Sequence, residues 1–240
     1  MATFLTFVLA APLGAMGALA VGERRSGWDR PGRSALLGLI AGCLGLDRAA
    51  EADHAALSAG FALAIRREGG VTPLLSDYHT AQTAPTRKNR RFATRREEAA
   101  AADQTILTRR DYRTDIAFTL ALWPRGGAAP WTLDDLAAAL SRPRFTPYLG
   151  RKSCPLGLPM APLIVTAATV RDAFAARDAA ACAIERQALA RSRGGTLWSD
   201  PTDALGLTEV RKETRRDEPL SRARWQFGLR DEIVADWPAA

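Results

Sequence analysis

Histidine and lysine are nearly absent from this chain of 240 residues. Histidine occurs only at positions 54 and 79, and lysine only at 88, 152 and 212 among 33 basic residues. Scarce histidine removes the commonest source of general acid–base pairs and of imidazole metal clusters. Cysteine is sparse as well: Cys43, Cys154 and Cys182 lie far apart and form no C-x-x-C pair. That odd, dispersed set excludes a disulfide framework and a zinc-finger spacing, and fits reduced thiols in a cytoplasm. Beyond the N-terminal stretch no run is apolar enough for a membrane span.

What the chain does hold is arginine. The formal net charge is +7 and the pI about 10.0, which favours an anionic partner, nucleic acid or a lipid surface. Arginine suits planar, bidentate phosphate contacts. A GC-rich coding sequence would produce the same bias together with the many alanines, so composition alone leaves both readings open. At 47% apolar residues, the chain can bury a core for one large domain or two small ones.

The opening stretch, residues 1–25, carries no charged side chain before Glu23 and has Ala18-Leu19-Ala20 where a signal peptidase could cut. An export signal needs a positive segment ahead of its apolar run, and only the terminal amine is there. Residues 3–9 are rich in β-branched and aromatic types and read as a strand, with Pro12, Gly14 and Gly17 breaking it into a loop. A helix follows, with Ser34 as its expected N-cap and Leu36, Leu37, Ile40 and Leu44 on one face. Strands are expected at 60–67, at 114–123 and at 160–168, and a short helix capped by Thr132 runs to Leu140. Residues 80–111 hold eight basic side chains and few large apolar ones, as an extended arm would.

The order is the β-α-β-β-α-β plan of a ferredoxin-like or RRM-type α+β domain, with the arm as a basic thumb inserted between the second and third strands. The expected organisation is an RRM-like domain over 1–168, thumb included, and a C-terminal extension over 169–240 packed on it. That extension reads as a helix at 169–190 followed by an irregular, β-containing region.

Several stretches can carry chemistry. Arg30, Arg33 and Ser34 stand at a helix start, where free N–H groups and the helix dipole attract phosphate; plain capping of a buried helix explains them equally. His79, in the run Ser-Asp-Tyr-His-Thr at 76–80, suits a general base or a stacking and hydrogen-bonding group. In residues 144–155, Tyr148 can stack while Arg151 and Lys152 hold phosphates. The run Gly150-Arg151-Lys152-Ser153 lacks the first glycine of a phosphate loop, which argues against an NTPase. Residues 211–232 mix both signs of charge around Trp225 and Phe227 and read as a solvated edge or a binding edge.

Taken in order, these stretches resemble the CasD family, a subunit of the type I-E CRISPR surveillance complex Cascade. Family members carry a G-P-x-Q-x-W-G loop where this chain has Ala11–Gly17. They carry P-[ST]-[KR]-S-G where this chain has Pro31-Gly32-Arg33-Ser34-Ala35. The D-Y-H-T element is intact at 77–80. An R-x-Y element is Arg110-Asp111-Tyr112, the Y-L-G-R-[KR] element falls at 148–152, and a late R-D-E-P is Arg216–Pro219. The Gln and Trp of the first loop are missing, with Gly14 and Met16 in their places.

The resemblance implies an RRM-like body with a protruding thumb, no cofactor and no metal. It implies a cytoplasmic, non-catalytic RNA-binding protein that holds the 5′ handle of the crRNA, away from any membrane. The implied neighbours are the CasC backbone subunit, the CasA large subunit and the other Cascade subunits, with target DNA reached through the complex. Candidate RNA contacts are Arg30, Arg33, Ser34, His79, Arg109, Arg110, Tyr148, Arg151 and Lys152, and candidate thumb contacts are Arg87, Lys88, Arg90, Arg91, Arg95 and Arg96. Arg33, Arg151 and the thumb are expected to converge in space. The rival reading is a metal-independent endoribonuclease like the type I-C relatives, with Tyr78, His79 and Lys88 as its acid–base groups.

Overall fold

The computed structural model describes residues 1–17, 23–84, 91–127, 129–189, 195–208 and 210–237. Its strands are β1 (Ala2–Gly14), β2 (Arg24–Arg25), β3 (Phe61–Arg67), β4 (Leu74–Thr83), β5 (Gln104–Pro124), β6 (Leu163–Ala167), β7 (Gly195–Ser199), β8 (Val210–Ser221) and β9 (Gln226–Trp237). Its helices are α1 (Arg33–Leu44), α2 (Glu51–Gly60), α3 (Arg95–Ala100), α4 (Leu133–Ser141), α5 (Val170–Ala180) and α6 (Ala183–Leu189).

One sheet organises the chain, in the order β6-β1-β5-β3-β7-β9-β8, with β2 and β4 pairing along the outer part of β5. Every pairing is antiparallel except β2 with β5. Helices α1 and α4 share one face, where Leu36, Leu37, Ile40, Leu136 and Leu140 pack on Leu5, Phe7, Leu9, Leu63, Ile65, Phe118 and Leu120. The alternation along β5 explains the split: Ile116, Phe118, Leu120 and Leu122 point to those helices, while Ala121 points to α5 with Phe174 and Phe4. Burying each such leucine or phenylalanine contributes about 1.5–3 kcal/mol. The Thr132–Asp135 capping box fixes the start of α4, with each side chain bonded to the other's backbone N–H.

Five sequence expectations change. The first strand does not stop at Pro12: β1 runs on to Gly14, paired with β5 through Leu13↔Thr114 and Gly14↔Arg113 just past Asp115, which has φ 51°. The helix start is capped by Gly32 rather than Ser34. The arm begins earlier than residue 80, as an unbroken ladder from Leu74↔Arg113 to Thr83↔Gln104. The C-terminal region is regular: β7, β9 and β8 extend the same sheet from β3, so hydrogen bonding continues across residue 168. Within that region the expected helix divides into α5 and α6 at extended Ala181, and an Arg177–Glu185 ion pair of 2.6 Å ties the two pieces together.

Among the described residues no helix is long and apolar enough to cross a membrane. Residues 2–14, the stretch that resembles an export signal, form a strand paired on both sides, with β5 and with β6.

Candidate nucleic-acid interface

The arm is a β-hairpin whose two faces both meet solvent. Strict pairing puts Leu75, Asp77, His79 and Ala81 on one face with Ile106, Thr108, Arg110 and Tyr112. Tyr112 packs against the same core as α1 and α4, so this face continues the helix side of the sheet. The opposite face carries Leu74, Ser76, Tyr78, Leu107, Arg109 and Asp111. Parallel pairing of β2 adds Arg25 beside Arg110 and Arg24 beside Arg109, and Arg109 N donates to Glu23 O at 3.1 Å.

A second element meets the first face at its base. The turn at 148–155 is anchored by Ala15 N to Leu149 O (3.0 Å), Leu149 N to Cys154 O (2.9 Å) and Cys154 N to Arg151 O (2.9 Å). Gly150 sits at φ 81°, and a Cβ there would overlap the Ala15 carbonyl oxygen. Only glycine fits that close approach. The anchored turn carries the Arg151 guanidinium to 4.5 Å from the centre of the Tyr112 ring. Its Nη1 is buried without a hydrogen-bond partner. Lys152 is exposed, and the rings of Tyr148 and Phe145 are 40% and 47% exposed on the same turn and its approach.

Arg151 therefore reaches the strand face that carries Arg110, with Arg25 in register on the neighbouring strand and the exposed Tyr148 and Phe145 on the turn and its approach. Guanidinium groups with stackable rings are the means by which proteins hold a single nucleic-acid strand. Sequence reasoning passed over Arg24, Arg25 and the part of Tyr112 in seating Arg151. A two-residue strand leaves no periodic signal, and its partner lies over eighty residues away.

Arg33 does not join this group. Its side chain is fully buried, and all five donors are occupied: Nε on Asp200 Oδ2 (3.0 Å), Nη1 on Ser58 Oγ (2.6 Å) and Glu218 Oε1 (3.0 Å), Nη2 on Ser58 O and Phe61 O (both 2.8 Å). The helix start expected to take phosphate is filled from within, since Arg33 N donates to Asp217 Oδ2 at 2.8 Å. Burial alone would raise Asp217, but Arg230, Arg215 and the Arg33 N–H together hold it below the usual carboxylate range. Gly32 suits the place because a Cβ there would stand 3.0 Å from Asp217 Oδ2. Arg30 is buried too, bonded to Glu232 at 2.5 Å and Asp29 at 3.1 Å, with Trp198 4.4 Å beneath its guanidinium. Both arginines hold the fold; the R-D-E-P motif supplies Asp217 and Glu218 to Arg33, while Arg30 is held by Glu232 and Asp29.

The remaining candidates divide. Ser34 is half-buried and its carbonyl accepts from Arg222. His79 is exposed on the Arg110 face, and Arg109 is exposed on the other. Arg91 and Arg96 are exposed near α3, while Arg95 donates to Gln82 O and pairs with Glu98 at 2.6 Å. Arg87, Lys88 and Arg90 lie outside the described residues. Tyr78 and His79 project from opposite faces of β4.

The sequence profile of the family of CRISPR-associated protein (Cas_Cas5) matches residues 4–232. The chain belongs to that family. The CRISPR system Cascade subunit CasD of Escherichia coli (strain K12) is 37% identical over 168 residues, 67% of this chain and 70% of that protein. The family resemblance read from the motifs is thus borne out. A solved chain from a CRISPR RNA-guided surveillance complex superposes with a TM-score of 0.63 at 21% identity, covering 98% of this chain and 90% of its own. A second, from a crystal structure of a Cas protein, gives 0.60 at 21% identity and covers 98% and 95%. The shared fold is a mixed α/β one dominated by an antiparallel sheet.

Proposed function

We propose that this Cas5-family chain is a non-catalytic RNA-binding subunit of a type I-E Cascade complex, and that it grips the 5′ handle of the crRNA at the base of its arm. The observation that carries the proposal is Arg151, held on a glycine-dependent turn over Tyr112, on the strand face that also carries Arg110. Phosphates of the handle meet Arg151, Arg110, Arg25 and Lys152, and splayed bases stack on Tyr148 and Phe145. Arg109, Arg91, Arg95 and Arg96 line the arm, which reaches across the RNA toward the CasC backbone subunit. The body meets CasA, target DNA is reached through the assembled complex, and the work is cytoplasmic. The β6-β1-β5-β3 order, with α1 and α4 in its two crossovers, supports classing the body as ferredoxin-like.

The geometry disfavours the endoribonuclease alternative. Neighbouring residues on an extended strand point apart, and this placement of Tyr78 and His79 on opposite faces of β4 counts against their sharing one scissile phosphate.

The test pairs Arg110→Glu with Arg151→Glu and measures handle-RNA binding by anisotropy across a salt series. The expected result is a loss of about tenfold or more, with a shallower dependence on salt. Unchanged affinity in the double variant removes the arm base from the site. Specific cleavage of repeat RNA by the purified chain would favour the nuclease instead.

A further inference from the structure

The tip of the β8–β9 hairpin carries a second arginine–aromatic cluster, packed on α1 and α2 rather than on the arm. Trp225 is 56% exposed there and holds a left-handed backbone, φ 51°, a conformation that is costly for so bulky a residue. The Arg48 guanidinium lies 4.0 Å from its ring centre, and Phe227 is 6.0 Å away at 37°. Arg48 Nε donates to the Arg222 carbonyl at 3.3 Å. Arg222 lies against Gly38 and donates to the Ser34 carbonyl, with its Nε buried and unbonded. Burial, and then the charge of Arg48, hold Arg222 below the ordinary guanidinium range.

Arg48 and Arg222 are linked to each other and to α1 through backbone carbonyls. The carboxylate at this corner, Glu51, accepts from Ser221 Oγ at 2.6 Å and Ala223 N at 3.0 Å, and Arg224 acts on it through space.

We propose that this corner is a second contact for single-stranded nucleic acid, separate from the arm base. The Trp225 ring takes a base on its face. Arg48, Arg222 and Arg224 take the adjoining phosphates. A flat ring backed by a guanidinium suits the π-face that every base presents, and arginine forks suit paired phosphate oxygens. The site lies within reach of the first: at the end of α1, Cys43 O and Gly42 O accept from the backbone N–H groups of Arg144 and Phe145 (2.9 and 3.2 Å), on the segment leading to Tyr148. A strand leaving the basic turn past Phe145 thus has a further foothold, with no sequence preference expected.

The test uses the full chain and a 15-nucleotide oligouridine carrying photoreactive 4-thiouridine. Irradiation followed by trypsin should attach uridine to the peptide Trp225–Arg230, which cleavage after Arg224 and Arg230 releases. The adduct should vanish in Trp225→Ala and persist in Trp225→Phe. It should remain in the Arg110→Glu/Arg151→Glu chain, so failure of the arm-base site and failure of this one read separately. In that background, Arg48→Glu should weaken oligouridine binding by about tenfold or more while far-ultraviolet circular dichroism stays the same. Absence of the adduct in the wild-type chain, or binding of poly-glutamate but not oligouridine at Trp225, overturns the proposal.

Discussion

Replacing Arg33 with methionine keeps the length and aliphatic character of the side chain while deleting its charge and five donors. Breaking a buried ion pair from one side costs about 3–5 kcal/mol. Part of that cost is relieved here. Asp200 keeps Arg230 Nη1 at 3.3 Å and Leu63 N at 3.1 Å, and Glu218 keeps Ser58 Oγ at 2.7 Å. The Ser58 and Phe61 carbonyls lose a charged donor. A loss of about 3–4 kcal/mol follows, which for a chain of this size lowers Tm by roughly 6–16 °C. Thermal unfolding by circular dichroism measures it. Handle-RNA affinity, measured well below the variant's Tm, should stay within about twofold, since Arg33 meets no solvent. An unchanged Tm with affinity reduced tenfold would refute the reasoning and return Arg33 to the RNA site. Arg33→Lys should fall between, because it restores the charge but only three donors.

Gly150→Ala should weaken handle binding without removing any cation: the new methyl meets the Ala15 backbone at φ 81°, so the turn must move and Arg151 leaves Tyr112. Equal affinities in wild type and variant would show that the turn's position is irrelevant. Asp217 sits below its ordinary value in the folded chain, so it stabilises above the unfolded carboxylate pKa of about 3.9 and that contribution is lost as pH falls below it. Asp217→Asn should therefore be less stable than wild type at neutral pH and show a flatter acid limb in urea titrations between pH 5 and about pH 2. A parallel acid limb would assign the effect to other carboxylates.

Local signals were legible where the physics is local. The Thr132 cap, the apolar stripe of α1 and the alternation from Ile116 to Leu122 each announce their element from a few neighbouring residues. The fixed turn that carries Tyr148 and Arg151 was legible because Gly150 and the prolines around it interrupt any regular element. Arg33 was misjudged for the opposite reason. A cation at a helix start looks available until the carboxylate that fills the site is known, and Asp217 is 184 residues away in the chain. The same distance hid the sheet's growth through β7, β9 and β8, whose mixed charges read as solvated. There the charged face is turned inward, where Arg215, Arg230 and Glu232 neutralise one another with Asp217.

Strand β5 is the mechanical link between arm and body. Its 21 residues begin in the arm and end beside β1 and β3, a reach of up to about 70 Å at 3.4 Å per residue. Arm and body are thus two ends of a single beam. A load applied to the outer ladder is delivered along covalent backbone to the middle of the sheet. The arm cannot come away from the body without unzipping strands that the core depends on.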